Sequence, residues 1–131
     1  MNIRPILAFG LILSFAMANG SAFAAGNAKK GAKVYKKKCK VCHVVKSGKK
    51  PTIGPNLFGS LGRKAGTSAN YKKFKGLKGA DWSWDAATLD EYLANPKKFL
   101  KKRNKPKSAM VLKLKKKKDR DNVIAYLATL K

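Results

Sequence analysis

The chain has 131 residues, and its 31 Lys and Arg against 6 Asp and Glu give a formal net charge of +25 at pH 7. This length allows one domain with a small core and excludes two. A charge of this size attracts acidic surfaces, but it destabilises a compact fold through self-repulsion. A group that is buried in the middle and bound only by the folded state would offset that repulsion.

The first residues predict a secretory signal peptide. Met1–Arg4 carry a positive charge, residues 6–18 are mostly apolar, and Ala22-Phe23-Ala24 resembles a cleavage site. A membrane anchor is the alternative, but an apolar run of thirteen residues falls short of the roughly 20 that span a bilayer. We therefore expect residues 1–24 to be removed and residues 25–131 to form one exported domain, which in a bacterium would be periplasmic. Its charge would be +24, because Arg4 is the only charged residue lost.

Residues 26–38 are predicted to form the first helix of the mature chain. Ala28, Gly31, Ala32 and Tyr35 recur at i, i+3, i+4 and i+7, which is the spacing of one helix face. This helix would end directly before the two cysteines of the chain.

Every cysteine and histidine falls within five residues, Cys39-Lys40-Val41-Cys42-His43. This is the C-x-x-C-H spacing of covalent haem attachment, in which two thiols add to the vinyl groups and the histidine binds the iron. A disulfide or a thioredoxin-like redox pair would leave His43 unexplained. A zinc site needs more ligands than this cluster supplies, and the chain has no second cluster. We therefore expect one covalently bound haem c.

The second iron ligand can be argued by elimination. His43 is the only histidine, and Met110 is the only methionine outside the predicted signal peptide. A thioether raises the reduction potential of haem and fills the position at which oxygen would bind, as suits an electron carrier. Two alternatives stay open: Met110 fills a gap in the core, or a lysine such as Lys107 or Lys113 binds the iron.

The stretch from residue 44 to residue 80 is predicted to be mostly loop, because it holds nine glycines and prolines. Long loops would suit a chain that wraps a flat cofactor. Residues 85–94 predict a second helix, with Asp85 as its N-cap and an end before Pro96. The apolar face of this helix would hold Leu89, Tyr92 and Leu93.

Residues 97–118 are rich in lysine and hold Met110. The last helix is predicted to begin at Asp119, because Asp119 and Asp121 suit the positive end of the helix dipole. Its buried residues would be Val123, Leu127 and Leu130. No strand pattern stands out, so we expect an all-α architecture with irregular connections.

Four segments besides the haem motif carry a resemblance to a known family. They are Gly54-Pro55-Asn56-Leu57, Gly62-Arg63-Lys64-x-Gly66, Thr88-Leu89-x-Glu91-Tyr92-Leu93-x-Asn95-Pro96-Lys97-Lys98 and Ile124-Ala125-Tyr126-Leu127. With these residues the chain resembles the class I soluble cytochromes c of the mitochondrial and bacterial periplasmic type. The resemblance implies the small cytochrome c fold, with three main helices and loops wrapped around one covalently bound haem.

The resemblance also implies roles around the iron. The carbonyl of Pro55 would accept a hydrogen bond from the His43 ring, and Tyr92 would face the haem near the Met110 sulfur. One departure is the segment from residue 96 to residue 110, which is several residues longer than the mitochondrial pattern.

Further residues would bind the haem propionates. Arg63 and Trp84 are implied by the resemblance, although Trp82 competes with Trp84 for this role. Where mitochondrial members have a second propionate-binding tyrosine, this chain has Lys73, and Tyr71 would take its place.

The family implies a soluble carrier of single electrons and not an enzyme. Its donor would be a quinol-oxidising cytochrome complex, and its acceptor a terminal oxidase, a photosynthetic reaction centre or a peroxidase. Surface lysines would steer acidic redox partners to the haem edge. The candidates for this ring are Lys37, Lys38, Lys40, Lys97, Lys98, Lys101 and Lys102. We expect a monomer that makes transient contact with anionic membrane surfaces.

Two other functions are the alternatives. A haem enzyme or ligand sensor would have a weak or open sixth site on the iron. A nucleic-acid binder is suggested by the charge alone, but export and the haem motif argue against a nucleic-acid partner.

Overall fold

A computed structural model describes residues 26–131, and the predicted signal peptide lies outside the described residues. This part of the chain forms four α-helices, which are α1 Ala28–Val34, α2 Ala86–Ala94, α3 Pro96–Lys102 and α4 Lys117–Ala128. Residues 26–131 contain no β-strand and only one isolated bridge, between Lys64 and Ser83. The all-α prediction is confirmed. None of these helices has the length and apolar character that crossing a membrane requires.

The first predicted helix, residues 26–38, is in fact divided in two. α1 begins after Asn27, whose side-chain oxygen accepts a backbone N–H of the first turn at 2.9 Å. It is followed by one π-helical turn, in which the backbone N–H of Lys40 donates to the carbonyl oxygen of Tyr35 at 2.9 Å. Tyr35 and Cys39, at the two ends of this turn, are both buried. Widened turns of this kind occur frequently at functional sites.

The region between the π turn and α2 is irregular, as predicted for residues 44–80. Gly66 illustrates why glycine is needed there. Its φ is +75°, a left-handed conformation that disfavours side chains, and a Cβ would overlap the carbonyl oxygen of Leu77. The loop can therefore fold tightly onto itself without a helix or strand.

α2 confirms the predicted second helix, including its N-cap. The Asp85 carboxylate accepts the Thr88 backbone N–H at 2.7 Å, and the Thr88 hydroxyl oxygen accepts the Asp85 N–H at 2.9 Å. The hydrogen bonds that the Thr88 backbone N–H and the Thr88 hydroxyl donate to the Asp85 carboxylate lower the pKa of Asp85. The helix ends at Ala94, before Pro96, because the residue before a proline disfavours helical conformation.

α3 was not predicted, because lysines dominate the sequence of this segment. The helix begins with Pro96 in its first turn, and the side-chain oxygen of Asn95 accepts the Lys98 backbone N–H at 3.1 Å. Phe99 and Leu100 are each only 1% exposed. Pro96 is also buried, and the other four residues of α3 are lysines, so the sequence shows no recognisable apolar stripe.

α4 begins two residues earlier than predicted, at Lys117 instead of Asp119, so that Asp119 lies in its first turn. Val123 and Leu127 are buried, as predicted. Leu130 is half-buried and lies beyond the end of the helix, where its carbonyl oxygen accepts the backbone N–H of Gly59 at 2.8 Å.

The crossing of α1 and α4 is closely packed. A Cβ on Gly31 would overlap the carbonyl oxygen of Asn122, so the two backbones can touch only because this residue is glycine. The side-chain oxygen of Asn122 accepts the Asn27 backbone N–H at 2.8 Å. The rings of Tyr35 and Tyr126 pack nearby, with centroids 5.7 Å apart. The crossing fixes the position of α1, which leads into the π turn and the cysteines.

We predict that Gly31→Ala lowers the free energy of unfolding of the natively matured protein by about 1–3 kcal/mol, because the methyl group overpacks the crossing. Helix propensity alone would predict the opposite sign, a gain of about 1 kcal/mol. Denaturant unfolding followed by far-ultraviolet circular dichroism measures the difference. Lys30→Ala, at an exposed position of the same helix, should change stability by less than about 0.5 kcal/mol. A stabilised Gly31→Ala variant would contradict the prediction.

Candidate functional site

The two cysteines and the histidine line the same large cavity. They are brought together by a tight turn, in which the carbonyl oxygen of Cys39 accepts the backbone N–H groups of Cys42 at 3.0 Å and of His43 at 2.9 Å. Both cysteines are free, so they form no disulfide. Burial, and to a lesser extent Cys42, raises the pKa of Cys39 to about 11. The apolar surroundings therefore favour the neutral thiol.

The His43 imidazole is held by a backbone carbonyl, as the resemblance implied. Its Nδ1 lies 2.8 Å from the carbonyl oxygen of Pro55. Because a carbonyl can only accept, Nδ1 carries the proton and Nε2 keeps the lone pair that binds a metal. Gly54 makes room for the ring, since a Cβ there would lie 2.5 Å from its Cε1. Burial lowers the pKa of His43 by more than the Pro55 hydrogen bond raises it, which favours the neutral ring.

Met110 is half-buried and lines the same cavity. Its backbone N–H donates to the hydroxyl oxygen of Ser108 at 3.0 Å, and that oxygen lies 3.0 Å from the hydroxyl of Tyr92. Tyr92 is buried and also lines the cavity. Ser108 therefore links the connection between α3 and α4, residues 103–116, to α2. We call this connection the methionine segment. Ser108 was not among the predicted site residues. Its position two residues before Met110 is the one feature of the sequence that could have indicated it.

The size and lining of the cavity fit haem. Its volume is about 1280 Å³, above the range of about 300–1,000 Å³ for ordinary small-molecule pockets. Aliphatic side chains that line it include Leu57, Leu89, Leu93, Val123 and Leu127. Protein interiors are close-packed, so an apolar space of this size needs a large apolar group to fill it. Two thiols, an imidazole and a thioether are also the groups that covalent attachment and iron ligation use.

Arg63 brings a charged group to the wall of the cavity. Its guanidinium donates to the carbonyl oxygens of Phe58 and Asn56, each at 3.0 Å, and burial lowers its pKa. None of the ion pairs within residues 26–131 involves Arg63. A half-buried guanidinium without an acidic partner suits a carboxylate on a bound group.

The two tryptophans differ in their relation to the cavity. Trp84 lines it and is buried, with its ring 5.0 Å from that of Tyr92. Trp82 is not part of the lining. It packs 5.6 Å from the ring of Phe99, and the guanidinium of Arg103 lies 5.5 Å from its ring centre. Its buried Nε1 has no hydrogen-bond partner among residues 26–131. Of the two candidates, Trp84 is therefore the one within reach of a group in the cavity.

Tyr71 lines the cavity, and its hydroxyl donates to the carbonyl oxygen of Ile53 at 3.2 Å. Lys73, which replaces the tyrosine of the mitochondrial pattern, lines the cavity as well but is exposed. The structure thus brings together all nine predicted cofactor-binding residues, which are Cys39, Cys42, His43, Pro55, Arg63, Tyr71, Trp84, Tyr92 and Met110.

The lysines beside the cavity differ from the predicted ring. The exposed lysines in its lining are Lys38, Lys72, Lys73, Lys75 and Lys78. Of the predicted set only Lys38 is among them, and Lys102 instead pairs with Glu91 at 2.9 Å. The lysines of residues 72–78 were missed because the path of an irregular loop cannot be deduced from spacing.

Comparison with known proteins finds relatives along the whole described domain. The family model for cytochrome c matches residues 28–131. Cytochrome c2 of Rhodospirillum rubrum is 39% identical over 134 aligned residues, which cover 98% of this chain and 98% of that protein. Cytochrome c of Gossypium barbadense is 44% identical over 103 residues, or 78% of this chain and 88% of the relative.

Solved structures of such proteins have the same fold. Cytochrome c2 from Rhodospirillum centenum matches with a TM-score of 0.74 and 32% identity, over 80% of this chain and 98% of that one. Ferricytochrome c2 from Rhodopseudomonas palustris matches with a TM-score of 0.72 and 38% identity, over 80% and 99%. Family match, identity, fold and cavity lead to one conclusion. The chain belongs to the class I cytochromes c, a family of electron carriers that bind one covalent haem c.

Proposed function

We propose that the chain is a soluble one-electron carrier, in which the His43 imidazole and the Met110 sulfur bind the haem iron. One observation carries the proposal: both residues line the cavity that also contains Cys39 and Cys42. When bound, haem supplies a metal centre that changes its oxidation state by one electron. With His43 and Met110 holding the iron, no position on it would be open to a substrate, so the chain would act as a carrier and not as an enzyme.

The residues around the cavity hold the two ligands in place. The Pro55 carbonyl fixes the tautomer and orientation of His43, which also raises the basicity of the metal-binding nitrogen. Ser108 forms hydrogen bonds with both Tyr92 and the Met110 backbone, and so keeps the methionine segment against α2. The aliphatic wall excludes water and so lowers the local dielectric constant, which is one of the factors that set the reduction potential.

Donors at the cavity wall would bind the propionates of the haem. The guanidinium of Arg63 carries a charge without an acidic partner in residues 26–131, and the indole of Trp84 has a nitrogen that can only donate. Tyr71 is the third proposed contact. It would replace the second propionate-binding tyrosine of mitochondrial members, whose position is occupied by Lys73 in this chain. A buried carboxylate needs such partners, because an unpaired charge in an apolar interior is costly.

We further propose that residues 1–24 are a signal peptide cleaved after Ala24 and that the mature protein is a periplasmic monomer. Its donor would be a quinol-oxidising cytochrome complex, and its acceptor a terminal oxidase, photosynthetic reaction centre or peroxidase. The relatives named cytochrome c2 come from bacteria, which supports a bacterial respiratory or photosynthetic chain. Contact with anionic membranes would be transient, and no nucleic acid would take part.

The main test is mass spectrometry and absorption spectroscopy of exported, natively matured protein. We expect the mass of residues 25–131 plus one haem. The oxidised protein should show the far-red absorption band of a sulfur–iron bond. Met110→Ala should abolish this band, allow carbon monoxide to bind the reduced protein, and lower the reduction potential by about 0.1 V or more, because axial ligands tune it strongly.

Val111→Ala is the matched control, because Val111 is the exposed neighbour of Met110 and does not have a sulfur. It should keep the band and the potential. An unchanged band in Met110→Ala would reject Met110 as the ligand. A wild-type protein that lacks the band and does not readily bind carbon monoxide would favour a lysine. A wild-type protein without the band, which readily binds carbon monoxide, would instead indicate a haem enzyme or ligand sensor.

We predict that Ser108→Ala weakens the attachment of Met110, because it removes both hydrogen bonds of the Ser108 hydroxyl. A hydrogen bond contributes about 1 kcal/mol to stability. The far-red band should therefore disappear at a lower denaturant concentration than in the wild type, before the helices unfold. Ser108→Thr retains the hydroxyl and should restore the wild-type midpoint. Equal midpoints for the alanine and threonine variants would show that Ser108 does not position the methionine.

We predict that Lys72→Gln/Lys75→Gln slows electron transfer with an acidic partner about three- to tenfold at low salt, because both lysines lie beside the cavity. Stopped-flow reduction by a purified quinol-oxidising cytochrome complex measures the rate. Lys29→Gln/Lys30→Gln removes the same charge from exposed positions of α1 and should have a smaller effect. Rates that do not depend on salt would contradict steering by lysine.

A further inference from the structure

A second, smaller cavity of about 360 Å³ lies between α1 with its π turn, the loop of residues 43–49, and α4. This volume is within the range of small-molecule pockets. Its apolar lining consists of Ala32, Tyr35, Val44, Val45 and Tyr126. Of residues 26–131, only His43 lines both this cavity and the haem cavity.

Four lysines complete the lining of the smaller cavity. They are Lys36, Lys40, Lys46 and Lys49, and all four are exposed. No acidic residue lines the cavity, and none of the four lysines belongs to an ion pair within residues 26–131. Four like charges around one apolar space repel each other, so an anion bound between them would relieve that repulsion.

The walls of the smaller cavity are held by hydrogen bonds within the protein. The side-chain amide of Asn56 donates to the carbonyl oxygens of Lys46 at 2.8 Å and Lys49 at 2.9 Å, which fixes the loop that carries two of the lysines. The Tyr35 hydroxyl donates to the carbonyl oxygen of His43 at 2.7 Å. A preorganised pocket of this kind loses little conformational entropy when a ligand binds.

We propose that this cavity binds a small aromatic anion with at least two negative charges. The aromatic part would pack on the rings of Tyr35 and Tyr126, which lie 5.7 Å apart. The negative groups would pair with the lysines at the edge. An inorganic dianion satisfies only the charges and leaves the apolar lining in contact with water, so it should bind more weakly. Anion binding here would need only the tyrosine rings and the lysines, whichever residues bind the haem iron.

The test is a nuclear magnetic resonance titration of the reduced, natively matured holoprotein with naphthalene-1,5-disulfonate. We expect saturable shifts at Ala32, Val45 and Tyr126, and weaker binding of sulfate. Lys46→Gln/Lys49→Gln should weaken binding of the disulfonate about five- to tenfold, because two exposed ion pairs are lost. Lys115→Gln/Lys118→Gln removes the same charge from exposed lysines outside both cavities and should weaken it less than about twofold.

Three results would overturn the proposal. Equal weakening by the two double variants would mean that the anion responds only to the net charge of the protein. Sulfate binding as tightly as the disulfonate would remove the role of the tyrosine rings. Shifts spread over the surface, without saturation at the cavity residues, would show that no pocket is involved. All substituted lysines are exposed, so loss of folding should not obscure the comparison.

Discussion

The haem cavity is the constraint on which the rest of the structure depends. A space of about 1280 Å³ lies inside a chain of 131 residues that carries a net charge of +25. The charges of such a chain repel each other, and a chain of this length builds only a small core. A covalently bound haem would supply apolar contacts to the residues that line the cavity. The π turn, the loops and the methionine segment therefore have a common surface on which to pack.

The methionine segment is held after Met110 as well as before it. The Leu114 backbone N–H donates to the carbonyl oxygen of Leu93 in α2 at 2.8 Å. Arg120 of α4 donates to the Leu114 carbonyl oxygen at 2.8 Å and pairs with Asp90 of α2 at 2.7 Å. Arg120 is only 9% exposed, and a nearly buried charge is costly to leave unpaired. This clamp between two helices lets a segment without regular structure approach the cavity in one conformation.

Most of the acidic residues make contacts within the protein. Asp85 caps α2, Asp90 pairs with Arg120, and Glu91 pairs with both Lys102 and Arg103. With only 6 acidic residues against 31 basic ones, most lysines have no internal partner. Their charges are therefore directed at the surroundings, and both the proposed partner surface beside the haem cavity and the lysine-lined smaller cavity follow from this imbalance.

The sequence by itself determined the haem motif at residues 39–43, the capped helix α2 and the absence of strands in residues 26–131, because these depend on identity and short-range spacing. It also supplied Met110 as the proposed second ligand. Only the tertiary structure decided that the first helix ends in a π turn, that Lys117–Lys118 belong to α4, and that Trp84 instead of Trp82 lines the cavity. It also decided that residues 96–102 form α3, that Ser108 is hydrogen-bonded to Met110, and that lysines of residues 72–78 line the haem cavity. The physical reason is that these features arise from contacts between residues far apart in the chain, which local periodicity does not encode.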